Sequence, residues 1–221
     1  MLIGLTEEGH ISHDAVKLTH EILSEALSAG ASIAGTADLD LVKELPVFGG
    51  LPLSKFRYAV SIAVVLPSQV IEMITVNDPG ILYAWAYRTA NLTLENIAFR
   101  VASKITCSGY SALVVPPSLR VDREKDVGHV SHKAFAWAAG LGWIGRNGLL
   151  VTPKYGPRVR LTTVLTSMPL RAGEPVKNMC GECKLCVKAC PSKALEYVKF
   201  EVRPASREEI LDVKRCADRL S

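Results

Sequence analysis

Four cysteines within eleven residues carry the clearest chemistry in the chain: Cys180, Cys183, Cys186 and Cys190, the last followed by Pro191. The run CGECKLCVKACP has the C-x2-C-x2-C-x3-C-P spacing of bacterial ferredoxins. Three thiolates on one tight loop can reach three irons of a cubane, and Gly181 eases the turn. A helical turn after Cys186 would aim Cys190 away from the other three, and in two-cluster ferredoxins the fourth cysteine serves the other cluster. Zinc is the alternative, since C-x2-C also suits a tetrahedral site. Zinc sites usually pair two separated C-x2-C elements, however, and no second one occurs here. A [4Fe–4S] cluster is therefore the expected cofactor.

The cysteine count limits that expectation. Two all-cysteine cubanes need eight thiolates, and the chain has six cysteines. One cluster can be fully cysteine-ligated, unless another subunit, a second copy of the chain or non-cysteine groups contribute. Cys180, Cys183 and Cys186 are three of its ligands. The fourth is either Cys190 or Cys216 folded back from the C-terminal tail. Cys107, alone in KITCSGY, is expected to be a buried structural thiol, as free cysteines commonly are.

A second motif, Gly140-Leu-Gly-Trp-Ile-Gly145, matches the G-x-G-x-x-G dinucleotide fingerprint. Its context is wrong for that role. The fingerprint needs a strand before it, a helix after it and an acidic residue about twenty positions on. Here a helical stretch precedes the loop, a strand-like run follows, and LTTVLTSMP carries no acid. A Rossmann site is excluded. The glycines either let the backbone approach something flat or let the preceding helix stop sharply.

The elements that must position these groups read as alternating helices and strands. A helix is expected after Ser12 as cap, with Ala15, Leu18, Ile22, Ala26 and Ala29 on one face and Gly30 as its stop. Phe56–Leu66 reads as a buried strand ended by Pro67. Asp78-Pro79 opens a long helix whose apolar face runs from Ala90 to Ile105, with Gly109 as its stop. Ser111–Val115 is a short strand, about 130–139 a helix, and Leu149–Thr152 and Val159–Thr166 two more strands. The expected class is α+β: a layered sheet-and-helix domain over about 1–172, then a small ferredoxin-like module over 173–221.

Composition narrows the function classes. Of 221 residues, 48% are hydrophobic and 22% charged, which excludes a disordered chain. Ala59–Leu66 is the longest apolar run, too short for a membrane span. The start MLIGLTEEGH has no basic segment leading into an apolar one, so no signal peptide is expected. With clustered thiols, this points to a reducing, cytoplasmic setting. A net charge of +4 without a basic block gives little support to a nucleic-acid partner.

The segment AGLGWIGRNGLLVTPKYGPRVRLTTVLTSMPL, followed by CGECKLCVKACPSKAL, resembles the epoxyqueuosine reductase family and its relatives, the corrinoid reductive dehalogenases. The resemblance is close over about 126–195. It implies a nitroreductase-like α+β domain that binds cobalamin, and an iron–sulfur module that feeds electrons to the cobalt for reduction of a small substrate. It places a general acid at Asp126, fourteen residues before the first loop glycine. It also directs Gly142, Trp143, Ile144, Gly145, Arg146 and Asn147 toward cofactor binding.

Three positions depart from the family pattern: His129 replaces a proline, His132 a glutamate, and Arg146 a lysine. Asp126 by its position alone also suits a helix N-cap. His129 and His132, three apart, could share a helix face, but no third ligand of recognisable spacing accompanies them. The family's second cysteine half-motif, another C-x2-C-x3-C-P, would follow the residue matched by Cys216, and the sequence ends five residues after it. The expectation is that the second cluster is absent, is supplied by a partner subunit, or lies beyond this sequence. The expected partners are a small-molecule substrate or an electron-transfer protein. The other class of function is an electron-transfer or corrinoid-handling subunit without substrate chemistry of its own.

Overall fold

The computed structural model describes residues 13–75 and 78–220. The expected Ser12 cap lies outside the described residues. The first helix, α1 (His13–Ser28), buries Ala15, Ile22 and Ala26 and ends at Gly30, whose φ of 110° suits glycine. Strands β1 (Ile33–Asp38) and β2 (Tyr58–Val65) follow. A short helix α2 (Ser68–Glu72) leads to α3 (Ile81–Cys107), the longest element. It buries Leu94, Ile97, Ala98, Val101 and Ile105 on one face, as the helical spacing requires. Gly109, at φ 85°, stands just past its end.

β3 (Ala112–Val115) is followed by α4 (His132–Ala138) and a small hairpin, β4 (Trp143–Ile144) with β5 (Leu150–Val151). β6 (Val159–Thr166) then returns to the main sheet. The order is β1-β2-β6-β3, and every pairing is antiparallel. β6 therefore fills the place between β2 and β3 only after the chain has built α4 and the hairpin. The class is α+β, as expected. The run read from sequence as one strand at 149–152 is a two-residue strand, and its partner lies inside the glycine loop.

Both faces of the sheet are covered. Val60, Ile62 and Val164 face α1 and α3, and Met168 and Leu170 extend that layer. Ala37, Ala59 and Leu165 face α4, where Phe135, Ala136 and Trp137 are buried. Two-sided burial explains why β2 reads as a continuous apolar run rather than an alternating one. Each fully buried Leu, Ile or Val contributes about 1.5–3 kcal/mol, and the two layers together hold the site-bearing segments rigid.

The C-terminal part has little regular structure: α5 (Leu185–Ala189) and α6 (Val213–Leu220). Gly173 N–H donates to the Thr36 carbonyl (2.7 Å), and Trp137 Nε1–H donates to the Val176 carbonyl (3.1 Å). These bonds lay 173–176 across the C-terminal end of α4. No helix among the described residues is long and apolar enough to cross a membrane.

Candidate iron–sulfur and cofactor site

Cys180 and Cys183 share one turn, Cys186 lies on α5, and Cys190 caps that helix. Cys183 N–H donates to the Cys180 carbonyl (2.9 Å), closing a tight turn in which Gly181 takes φ 49°. Burial pushes the Cys186 thiol above its ordinary value, against the Val187 backbone N–H and with the help of charge at Cys180 and Cys183. Cys190 ends α5 and behaves differently. Burial opposes its ionisation, but the Ser192 hydroxyl and the backbone N–H groups of Ala194, Leu195 and Ser192 outweigh that and pull its pKa down.

The stretch after Cys190 is tied to the stretch before Cys216. Leu195 bridges Leu211, Asp212 N–H donates to the Ala194 carbonyl (2.8 Å), and Arg215 donates to the Lys193 carbonyl (3.1 Å). Cys183 is exposed, and Cys180, Cys186, Cys190 and Cys216 are half-buried. Among the described residues no three His, Cys, Asp or Glu side chains converge as ligands of one metal ion. Cys107 corrects an expectation: it is exposed, not a buried structural thiol.

The glycine loop grips the cysteine turn. Asn178 Nδ2–H donates to the Ile144 carbonyl (2.8 Å), and Asn178 Oδ1 accepts from Cys180 N–H (2.8 Å). Arg146, only 4% exposed, donates to the carbonyls of Gly181 (2.7 Å), Cys183 (2.8 Å) and Val198 (2.9 Å). Its guanidinium lies 4.7 Å from the Tyr197 ring centre. Asn147 Oδ1 accepts from Leu149 N–H (3.1 Å) and shapes the hairpin turn. A Cβ at Gly142 would stand 2.2 Å from the Val151 carbonyl oxygen, so the glycine permits the close hairpin approach. Trp143 Nε1–H is buried without an acceptor, whereas the Ile144 side chain reaches a large cavity. The loop thus serves both sides: backbone and Arg146 toward the cysteines, Ile144 toward the cavity.

That cavity has a volume of about 1440 Å³. Its walls are Leu45, Pro46 and Phe48, residues between Arg120 and Ala134, Ile144, and residues of the C-terminal segment from Glu196 to Ala217. It exceeds the roughly 300–1,000 Å³ of ordinary small-molecule pockets and has room for a large cofactor. A second cavity of about 400 Å³ adjoins it and shares Arg120, Asp126 and Lys133.

Asp126 lines both cavities but does not cap a helix. Ser131 is the N-cap of α4, and Asp126 sits five residues earlier at φ 50°, in the turn bridged by Asp122 and Val127. Its carboxylate pairs with Arg120 (2.8 Å) and is 45% exposed. Arg207, from the C-terminal segment, donates to the carbonyls of Asp126 (3.0 Å) and Lys125 (2.9 Å). Sequence reasoning missed Arg120, Lys133 and Arg207. None of them belongs to a recognisable motif. Burial, then the charge of Arg207, pulls the Lys133 pKa down, and its ammonium donates to the Gly148 carbonyl.

The two histidines are engaged by protein groups. His129 Nδ1–H donates to the Phe48 carbonyl (2.9 Å). His132 Nε2 lies 3.2 Å from the Pro116 carbonyl, which can only accept, so that nitrogen carries the proton. His132 Nδ1 then accepts from the Thr163 hydroxyl (2.9 Å). Both ring nitrogens of His132 are satisfied without a metal.

No family model matches the chain. It is 43% identical over 100 residues to an epoxyqueuosine reductase of Gloeobacter violaceus, covering 45% of this chain and 28% of that protein. With the Listeria monocytogenes epoxyqueuosine reductase it shares 43% identity over 79 residues, 36% of this chain and 21% of that one. The chain therefore spans less than a third of the length of these relatives. Among solved structures, a catabolic reductive dehalogenase in complex with 3-bromo-4-hydroxybenzoic acid superposes with a TM-score of 0.75 at 21% identity, covering 93% of this chain and 29% of that one. The Streptococcus thermophilus epoxyqueuosine reductase gives 0.55 at 22% identity, over 80% of this chain and 53% of that one. The chain is thus similar in sequence to epoxyqueuosine reductases and shares its fold with them and with a reductive dehalogenase.

Proposed function

We propose that the chain is an iron–sulfur oxidoreductase of epoxyqueuosine reductase-like type, passing electrons from a [4Fe–4S] cluster to a cobalamin-type cofactor for reduction of a small substrate. One observation carries the reading. A cofactor-sized cavity lined by Asp126 and Ile144 lies behind the loop that holds the cysteine turn. The donor set fits the cluster. Cys180 and Cys183 share one tight turn whose carbonyls are held by a cation, and Cys186 follows it on α5. A cubane spreads its thiolates over several irons, so they need not converge as around one zinc ion. Cys190 and Cys216 are the candidates for the fourth ligand. The ferredoxin-like module is likewise part of this proposal.

When bound, the corrinoid would supply a low-valent metal able to reduce the substrate. The chain's own residues bind, orient and exclude water. Ile144, Val130 and Ala134 give the cavity an apolar wall, and Arg120, Lys133 and Arg207 give it cationic edges. Asp126 is the candidate proton donor at a carboxyl oxygen. Its carboxylate is held by Arg120 (2.8 Å), so reaching a substrate requires that pair to open. Asp126→Asn is expected to abolish turnover while iron content and cobalamin binding stay at wild-type levels. Turnover within twofold of wild type would remove Asp126 from the reaction.

The exposed Arg120–Asp126 pair also favours the second reading, a subunit that transfers electrons to a corrinoid without acting on substrate itself. In that case Asp126→Asn leaves the rate of cobalamin reduction unchanged, and no substrate is consumed by the wild type either.

A further inference from the structure

We infer that Arg146 is a positioning residue for the iron–sulfur turn, holding its peptide groups in place and setting the charge against which the cluster is reduced. The inference rests on the proposed cluster at Cys180, Cys183 and Cys186. Its own support is the geometry of the guanidinium. Among the described residues Arg146 is the one buried charged residue, and its three hydrogen bonds all end on neutral carbonyls. No carboxylate among the described residues is in ion-pair contact with it; Glu182, exposed and paired with Lys199, feels its charge only from further off. A buried cation without an anion is costly even when its N–H groups are bonded. The Tyr197 ring offsets part of that cost. An all-thiolate cluster, which is net negative, would supply the buried counter-charge that the exposed Glu182 does not.

The bonds also fix direction. A trans peptide aims its C=O and N–H oppositely. With the Gly181 and Cys183 carbonyls turned to Arg146, the N–H groups of Glu182 and Lys184 are turned away from it. Hydrogen bonds to the sulfurs and local net charge are the levers by which a protein tunes cluster potential. Arg146 controls both for this turn. A lysine here would keep the charge but lose the planar fork that reaches three carbonyls. Residue 146 belongs to the hairpin loop that also sends Ile144 into the cavity, so one short segment sets the distance between the cysteine turn and the cavity wall.

The test compares wild type, Arg146→Gln and Arg146→Lys, each reconstituted anaerobically with iron and sulfide. Iron content, the paramagnetic resonance spectrum of the reduced cluster, its midpoint potential and the far-ultraviolet dichroism of the apo-chains are read for each. The expected result is a more negative midpoint for Arg146→Gln. Arg146→Lys should keep a near-native midpoint but show an altered spectrum and several-fold faster iron loss. Wild-type spectra, potentials and iron retention in both variants would overturn the inference. If Arg146→Gln does not fold, Arg146→Lys alone decides: wild-type iron retention and spectrum contradict the clamp, and their loss with native dichroism supports it. A wild-type chain that takes up no iron fails the cluster reading itself, a result distinct from any difference among variants.

Discussion

At the residue scale, the histidine that stands where the family has a glutamate belongs to the framework. His132 bonds the Thr163 hydroxyl and the Pro116 carbonyl, tying α4 to β6 and to the end of β3. Burial, with the charges of Arg160 and His129, pushes its pKa down to about 4, against the raising effect of the Pro116 bond. The native state therefore refuses a proton that the unfolded chain accepts once pH falls below about 6.5. Stability is undiminished by this group above that value. It falls as pH drops through the window down to about 4 and then levels off. The expected loss from His132 is about 2 kcal/mol between roughly pH 7 and pH 5. Urea denaturation at both pH values, compared with His132→Gln, measures it. An equal pH slope in the two proteins would mean that His132 is not the group responsible.

At the element scale, local periodicity reveals what is locally determined. The face of α3 and the buried run of β2 were legible because spacing of 3.6 and continuous apolarity need no partner to be seen. Cys107 misled because it follows Ile105 by two residues, about 200° around the helix, which turns it off the buried face. β4 escaped, and β5 was read longer than it is, because two-residue strands carry no period. Their pairing shows only in the cost of a side chain at Gly142. Gly142→Ala must push apart β4 and β5 against the Val151 carbonyl, and a loss of about 2 kcal/mol or more is expected. Denaturant midpoints of the apo-chain check this. A loss below about 0.5 kcal/mol, the scale of neutral surface changes, would show that the hairpin has slack there.

At the scale of the whole molecule, the antiparallel order β1-β2-β6-β3 and the cavity were not legible, because both depend on contacts far apart in sequence. The ferredoxin spacing was legible, since its chemistry demands neighbours. The role of Arg146 was not, because its three carbonyl partners lie 35, 37 and 52 residues further on. The same separation gives the account its content: a sheet domain presents a loop, the loop holds the cysteine turn, and the cavity lies on the loop's other side. Anaerobic reconstitution followed by cobalamin titration tests that arrangement most directly. Roughly four irons per chain, a brown protein and saturable perturbation of the cobalamin spectrum are expected. A colourless, zinc-containing chain that leaves that spectrum unchanged would contradict it.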